Sequence, residues 1–359
     1  MLFYRLTGAA SAFRAARFSR SDLRAIIVKE SFPLTIRSFL RLSAHIQMLP
    51  ILEGGEETLV GGQAVMEGVM MRAPHSYCVA VRRASGEIVT EEKPLPRLSE
   101  KYPLFKLPIL RGLGTLGHAM TLGVKALRFS MNASLADLSK AQEKPVELPG
   151  WVLAVNLAFS LLMFIFMYKF VPLFLATRIG NFLPSAHQRL EINLIDGGIR
   201  LALLLVFLYL VSRMKDMRRM FQYHGAEHKV VFNYESGQPV TVENAQKFVT
   251  FHPRCGTSFL VVVMLIAIPV YAFLPFDGFV AKFAARIALL PLVLGGSYEL
   301  IRFAAKHQQG LMALLTRPGL WLQRITTQPP TDEQAAVAIH ALEGAMTLEK
   351  SQGGELVIA

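Results

Sequence analysis

Apolar runs that contain no charged residue constrain the fold of this chain more than any other feature. Residues 148–168 carry no charge over 21 positions, and residues 255–276 carry none over 22. Two further segments, 192–212 and 279–298, reach a similar length only when a few charged residues are included. Because a helix needs about 20 mostly apolar residues to cross a bilayer, the sequence predicts a mainly α-helical membrane protein with about four transmembrane helices.

The composition agrees with this fold class. Of the 359 residues, 52% are hydrophobic and 18% are charged, and the mean hydropathy is +0.38. Soluble domains contain about 25% charged residues, so the composition excludes a disordered tail, a fibrous repeat and a small disulfide-rich domain. The two cysteines are too few for a disulfide framework and fit a reducing compartment.

The basic residues alternate between the segments that separate the apolar runs. Residues 1–147 hold 20 Lys and Arg and residues 213–254 hold seven, whereas 177–191 hold two and 275–278 hold none. The positive-inside rule therefore predicts a multi-pass protein of the bacterial cytoplasmic membrane, with both termini and the 213–254 loop in the cytoplasm. Since the net charge of +12 follows topology and forms no single patch, we expect the lipid bilayer as a partner and no nucleic acid.

The sequence divides into four segments on this interpretation. They are a basic leader at 1–55, either amphipathic or disordered; a cytoplasmic β-rich region with a Gly-rich helix at 56–147; the four-span bundle at 148–325; and a cytoplasmic tail with a short amphipathic stretch at 326–359.

Turn signals and apolar periodicity give the elements of the second segment. Residues Gln63–Arg72 read as one strand, and Tyr77–Arg83 and Glu87–Glu92 read as a hairpin around Ala84-Ser85-Gly86. Leu110–Met131 has apolar residues at helical spacing. This helix either packs tightly against its neighbours or enters the membrane.

Two predicted spans contain charged residues. Asp196 and Arg200 are four residues apart, so we expect them to pair on one helix face. Lys282 and Arg286 have long side chains, which we expect to extend outward to the interface.

The sharpest local motif is His224-Gly225-Ala226-Glu227-His228, which matches the pattern H-x-x-E-H. Two imidazoles at i and i+4 share one helix face and can bind one cation, and the glutamate can activate a water. This is the inverted form of the zinc-protease motif. The sequence therefore predicts a divalent-metal site, with zinc as the expected ion. A polar helix end beside a span explains the same residues without a metal.

A catalytic zinc site needs a third protein ligand. The candidates on the cytoplasmic side are Glu299, His252 and Cys255. In inverted-motif zinc proteases this ligand is a glutamate several tens of residues downstream, which favours Glu299. His252 and Cys255 alternatively shape the turn that leads into the third span, and this role is favoured for Cys255.

A second concentrated segment is Gly61–Arg72. Its glycines permit a tight turn and a bulge that would aim Glu67 and Arg72 inward. It contains no phosphate-loop signature, because no G-K-[ST] follows the glycines.

Several motifs together resemble the YqhQ-like family of bacterial membrane proteins, described as predicted metal-dependent enzymes. The resemblance covers about residues 58–345. Its motifs are Gly61–Arg72, Tyr223–Lys229, Asn233-Tyr234-Glu235, Thr241–Asn244, His252–Ser258, Gly296–Leu300 and Pro318–Gln323. The resemblance implies a metal-dependent activity and adds no substrate.

Three functions fit these observations. The favoured one is a membrane-embedded metal-dependent enzyme, with Glu227 as general base, that hydrolyses a peptide, a lipid headgroup or a similar bond. The second is a non-catalytic membrane assembly or regulatory protein. The third is a small transporter, which with four helices would require a homo-oligomer.

Overall fold

A computed structural model describes residues 60–96, 102–140, 150–182, 188–276, 278–306 and 311–351. The basic leader predicted at 1–55 lies outside these residues. The described residues form four β-strands, eleven α-helices, a 3₁₀ turn at Pro103–Lys106 and a π-helical turn at Phe166–Phe170. The fold is therefore mainly helical with one small sheet, as predicted.

Among the described residues, the four strands precede the α-helices. They are β1 Gly61–Val65, β2 Gly68–Arg72, β3 Ser76–Arg82 and β4 Ile88–Pro94. The helices are α1 Leu110–Lys140, α2 Gly150–Ile165, α3 Val171–Gly180, α4 Gln188–Ser212, α5 Lys215–Glu235, α6 Val242–Gln246, α7 Gly256–Ala272, α8 Phe279–Ala288, α9 Leu290–Lys306, α10 Leu311–Thr326 and α11 Asp332–Ser351.

The strands form one antiparallel sheet in the order β1-β2-β3-β4. The predicted hairpin is confirmed: β3 and β4 pair from Ser76 opposite Pro94 to Arg82 opposite Ile88. The turn between them contains Gly86 at φ +88°, a conformation that glycine adopts without strain.

The prediction of a single strand over Gln63–Arg72 is wrong. The chain reverses at Met66 and Glu67, so β1 and β2 form a hairpin in which Val65 lies opposite Gly68. Glu67 has φ +53°, which marks a two-residue turn. The last residue of β1 and most of β2 are buried, so the apolar pattern continues through the turn. The pattern alone therefore does not show that the strand is interrupted.

The sheet is covered by helices on both faces. Alternation along the strands sends Val69, Met71, Cys78 and Ala80 toward α5 and α11, and Met70, Val79 and Val81 toward α1. α1 also packs against α9. The Gly-rich helix thus packs against its neighbours, the first of the two alternatives, and it extends nine residues beyond the predicted end at Met131.

The described residues contain two helices long and apolar enough to cross a membrane, Gly150–Gly180 and Leu190–Ser212. The pair Phe279–Ala288 and Leu290–Ala304, bent by 46°, makes three if it forms one span. The predicted span at 255–276 is shorter than expected, because its helix has 17 residues and a length of about 26 Å. The count is two or three, against the four predicted.

A charged cluster lies among these apolar helices. Asp196 and Arg200 pair as predicted, with Nη2 of Arg200 donating to Oδ2 of Asp196 at 2.6 Å. The outward orientation predicted for Arg286 is wrong: its side chain is 2% exposed and its Nη1 lies 2.9 Å from Oδ1 of Asp196. One carboxylate thus serves two guanidinium groups, because burial makes an unpaired charge costly.

Candidate metal centre

Helix α5 places the H-x-x-E-H motif in the middle of the fold. Asp216 lies in its first turn, where an acidic residue favours the helix N-terminus. The i,i+4 spacing brings the rings of His224 and His228 to a centroid distance of 4.5 Å. The two imidazoles therefore share one face, as the spacing predicted.

Main-chain carbonyl groups fix the orientation of both imidazoles. Nδ1 of His224 lies 2.8 Å from the carbonyl oxygen of Thr326, and Nδ1 of His228 lies 2.5 Å from that of Thr250. A carbonyl oxygen only accepts hydrogen bonds, so each Nδ1 carries the proton. Each Nε2 is then left with a lone pair, which is how metal-binding histidines are commonly prepared.

Cys255 brings a third atom that could bind a metal ion to the two imidazoles. Its Sγ lies 3.2 Å from Nε2 of His224, and the ligand atoms of His224, His228 and Cys255 all lie within 4.8 Å of one another. Cys255 also caps α7, because its Sγ accepts a hydrogen bond from the backbone N–H of Thr257. It therefore shapes the start of α7 and joins the cluster as well. Two imidazoles and one cysteine sulfur are a donor set that suits zinc.

His252 lies beside the three ligand atoms. Its ring centroid is 5.5 Å from that of His228, and its Nδ1 accepts a hydrogen bond from the main-chain N–H of Arg254. Its buried Nε2 has no hydrogen-bond partner among the described residues, and the nearest carboxylate oxygen, of Glu235, is 3.6 Å away. Burial lowers the pKa of His252 to about 4, so the ring is neutral near pH 7.

Gln323 holds the loop that carries His252. Its side-chain amide accepts from the main-chain N–H of His252 at 2.7 Å and donates to the carbonyl of the same residue at 2.8 Å. It also donates to the hydroxyl of Ser258 at 3.0 Å. The sequence alone assigns no role to Gln323, the last residue of the Pro318–Gln323 motif. Its contact with His252, 71 residues away, leaves no local pattern.

Glu227 is held next to the cluster by the sheet. Its Oε2 lies 3.4 Å from Nε2 of His228, and its side chain is 8% exposed. A Cβ atom on Gly62 would lie 2.7 Å from Cγ of Glu227. The glycine in β1 therefore makes room for this carboxylate, which is close enough to exchange a proton with a molecule at the cluster.

Position 225 requires glycine because the main chain at Gln328 approaches α5 closely there. A Cβ atom there would lie 2.1 Å from the main-chain oxygen of Gln328. The glycine weakens α5 locally, but it lets the segment after α10 cross α5. This crossing brings the carbonyl of Thr326 to His224.

Glu299 does not lie at the cavity that His224 and His228 line. Its carboxylate accepts from Nε of Arg111 at 2.7 Å and from the backbone N–H of Ile109 at 3.3 Å. Cys255 occupies the position expected for a third ligand.

Glu67 and Arg72 separate in the structure. Glu67 pairs with Arg219 and accepts a hydrogen bond from the hydroxyl of Tyr223 at 3.3 Å. Burial, and secondarily the charge of Glu67, raise the pKa of Tyr223, so the phenol stays protonated. Arg72 instead lines the cavity at the cluster.

This cavity has a volume of about 550 Å³. His224, Glu227, His228, His252 and Cys255 form its polar wall. The volume is that of a small-molecule site.

Comparison with known proteins gives relatives whose descriptions carry no activity. The profile of a family described as "Protein of unknown function (DUF1385)" matches residues 107–348. "Uncharacterized protein YqhQ" of Bacillus subtilis (strain 168) is 38% identical over 300 residues, which cover 80% of this chain and 92% of that protein. No solved structure matches the chain.

Proposed function

The chain belongs to the DUF1385 family, with YqhQ as a relative, and we propose that it is a membrane-embedded, metal-dependent enzyme of the hydrolase type. The observation that carries the proposal is the anchoring of both imidazoles. His224 and His228 each donate Nδ1–H to a main-chain carbonyl, which leaves two Nε2 lone pairs beside a cysteine sulfur. A polar helix end with only a structural role would not require two imidazole lone pairs and a cysteine sulfur to lie close together.

The residues present fit a divalent ion of the zinc type. His224, His228 and Cys255 would hold it, and a site with three protein ligands would leave one coordination position for water or substrate. An ion of this kind supplies Lewis-acid polarisation of the bond to be cleaved. Glu227 accepts a proton from the attacking water and returns it to the leaving group. The neutral His252 orients the substrate through its Nε2–H.

We propose a membrane position that follows the charge pattern. Four segments cross the cytoplasmic membrane in this proposal. They are Gly150–Gly180, Leu190–Ser212, the shorter helix α7, and the bent pair of α8 and α9. The basic segments put the sheet, α5 and both termini in the cytoplasm. The cluster at Cys255, where α7 begins, then lies at the cytoplasmic interface.

Elemental analysis of purified protein tests this proposal. We expect about one equivalent of zinc per chain in the wild type and loss of the metal in His224→Ala, His228→Ala and Cys255→Ser. His340→Ala is the matched control, because this histidine lies on α11 with a side chain that is 54% exposed. A wild-type protein that binds no transition metal under reducing, chelator-free purification would remove the proposal.

The contact between Cys255 and His224 supports a second candidate function, that of a thiol enzyme. A sulfur 3.2 Å from an imidazole nitrogen, at a helix N-terminus, is also the arrangement of a thiol nucleophile with its base. Iodoacetamide labelling of Cys255 separates the two candidates. The metal-enzyme proposal expects labelling only after chelation, whereas a thiol enzyme would react rapidly whether or not a chelator is present.

A further inference from the structure

We infer that the cavity beside the metal centre binds an anionic amphiphile, that is, a molecule that carries a phosphate or carboxylate group next to an apolar chain. This inference rests on the proposed function, because it gives the substrate class of that same site. The favoured source is a membrane lipid with an anionic headgroup.

The wall of the cavity is apolar in part. Met70 of β2, Leu122 of α1, and Met220, Phe221 and Val231 of α5 line it. These apolar side chains come from three different elements. An apolar chain bound there would be removed from water, which is favourable by about 25 cal/mol for each Å² buried.

The charges at the cavity favour an anion once the metal is bound. Two cationic side chains, Arg72 and Arg254, line it, and the proposed metal site would add a divalent cation. Glu227 also lines the cavity, and Glu235 pairs with Arg254. Arginine also matches the geometry of phosphate and carboxylate oxygens.

The location of the cavity favours a lipid over a free anion. Cys255, Gly256 and Thr257 line it at the N-terminus of α7, and α7 is apolar along its whole length. In the proposed topology this helix end lies where lipid headgroups lie. A free phosphate would make no use of the apolar side chains.

Gly61 provides a steric probe of the cavity. It lines the cavity, and a Cβ atom on it would have nothing within 4 Å. A leucine there extends into the open space and displaces a bound chain without a backbone clash. Gly117 of α1 is the matched control, since its Cβ position is equally open and it does not line the cavity.

Equilibrium binding to the metal-loaded full chain tests the inference. The probes are a short-chain phosphatidic acid, the phosphatidylcholine with the same chains, and inorganic phosphate. We expect phosphatidic acid to bind at least about tenfold more tightly than either of the others. Equal binding of the phosphatidylcholine would overturn the anion preference. Equal binding of inorganic phosphate would identify a free anion and overturn the lipid source.

Two variants localise the binding, with zinc content and thermal unfolding measured on the same samples. Arg72→Gln and Gly61→Leu should each weaken phosphatidic acid binding by about tenfold, whereas Arg83→Gln in the β3–β4 turn and Gly117→Leu should not. Unchanged binding in a folded Gly61→Leu protein would overturn the inference.

The binding and metal results distinguish failure of the inference from failure of the proposed function. A protein that holds zinc but shows no anionic preference removes only the inference about the substrate. A protein that binds no metal removes the proposed function, and the inference that rests on it falls too.

Discussion

Glu227 and His228 are sequence neighbours with different expected roles, and this difference separates catalysis from scaffolding. The two histidines present lone pairs to the cluster, whereas Glu227 approaches His228 at 3.4 Å through a carboxylate oxygen. Glu227→Gln keeps the size of the side chain and removes its basicity. We expect normal folding and metal content, with activity lower by about 100-fold or more.

Complementation of a deletion phenotype, with zinc measured on the same purified proteins, provides the readout. His228→Ala is the contrasting variant, because it should lose both the metal and complementation. If Glu227→Gln complements fully while it retains zinc, the metal is structural and the non-catalytic assembly protein becomes the better interpretation.

At the scale of single residues, the spacing in the sequence predicted two of the three clustered residues, because helix geometry alone places His224 and His228 on one face. Cys255 was one of three candidates for a third ligand, and its position beside His224 depends on loop contacts that leave no periodic signal. The same holds for Gln323, which supports His252 from 71 positions away. Glu299 was expected by analogy with other metal sites, but Arg111 on α1 already pairs with it.

Among the elements, the buried charges of the apolar helices form one cluster around Asp196. Arg200 and Arg286 both pair with this carboxylate, and Lys169, on the π-helical turn, donates to the hydroxyl of Tyr271 at 3.0 Å. Asp196 thus compensates two guanidinium groups. Asp196→Asn leaves both uncompensated, so we expect a loss of about 3–5 kcal/mol. Lys169→Met leaves both ion pairs in place and should cost much less.

Thermal unfolding in detergent measures both variants. The pairing with Arg286 also means that the double variant Asp196→Leu/Arg200→Leu still leaves a buried cation, so it should remain clearly destabilised. If Lys169→Met is as damaging as Asp196→Asn, the ion pairs of Asp196 are not what determines stability here.

A second cluster at the scale of elements attaches α11 to the sheet. Glu349 accepts hydrogen bonds from the main-chain N–H of His75 at 2.9 Å and from the Ser76 hydroxyl at 2.8 Å, and it contacts the His75 ring. Burial raises the pKa of Glu349, but these hydrogen bonds outweigh it and hold the pKa below the ordinary value of 4.5. Its stabilisation is therefore complete above pH 4.5 and is lost as the pH falls through the lowered pKa.

Glu349→Gln should accordingly lower the unfolding temperature at pH 7, by the equivalent of about 1–3 kcal/mol. The difference from wild type should shrink as the pH falls below 4.5. Unfolding curves between pH 7 and pH 3 provide the measurement. Glu343→Gln is the control on the same helix, because its side chain is 61% exposed. A difference that stays constant over this range would argue against ionised Glu349 as the cause.

The sequence predicted most elements because their signals are local. The β3–β4 hairpin and α1 follow from turn residues and helical spacing. The turn at Met66 and Glu67 was missed, because a non-glycine residue with positive φ is uncommon and leaves no composition signal. The break at Leu289 between α8 and α9 was missed for a related reason, since both halves are apolar.

At the scale of the whole molecule, the site depends on segments far apart in the chain. Segment 60–62 of the sheet, helix α5, the loop at 250–255 and the end of α10 all contribute to it. Helix α11 packs beside α5 on the same face of the sheet. The amphipathic stretch of the tail was predicted, but its partner was not, because two surfaces that bury each other need no common pattern in the sequence.

The orientation of the whole molecule determines which compartment the site faces, and this is testable by cysteine accessibility. In a background with Cys78 and Cys255 replaced by serine, a membrane-impermeant maleimide is applied to intact cells that express Ser185→Cys, Asp277→Cys or Gln238→Cys. The first two positions lie in the poorly charged segments between predicted spans, and the third lies in the basic 213–254 segment. The positive-inside rule therefore predicts labelling at 185 and 277 and none at 238 until the cells are opened. Labelling of 238 in intact cells would place α5 and its histidines outside, and a cytoplasmic substrate would then have no access to the site.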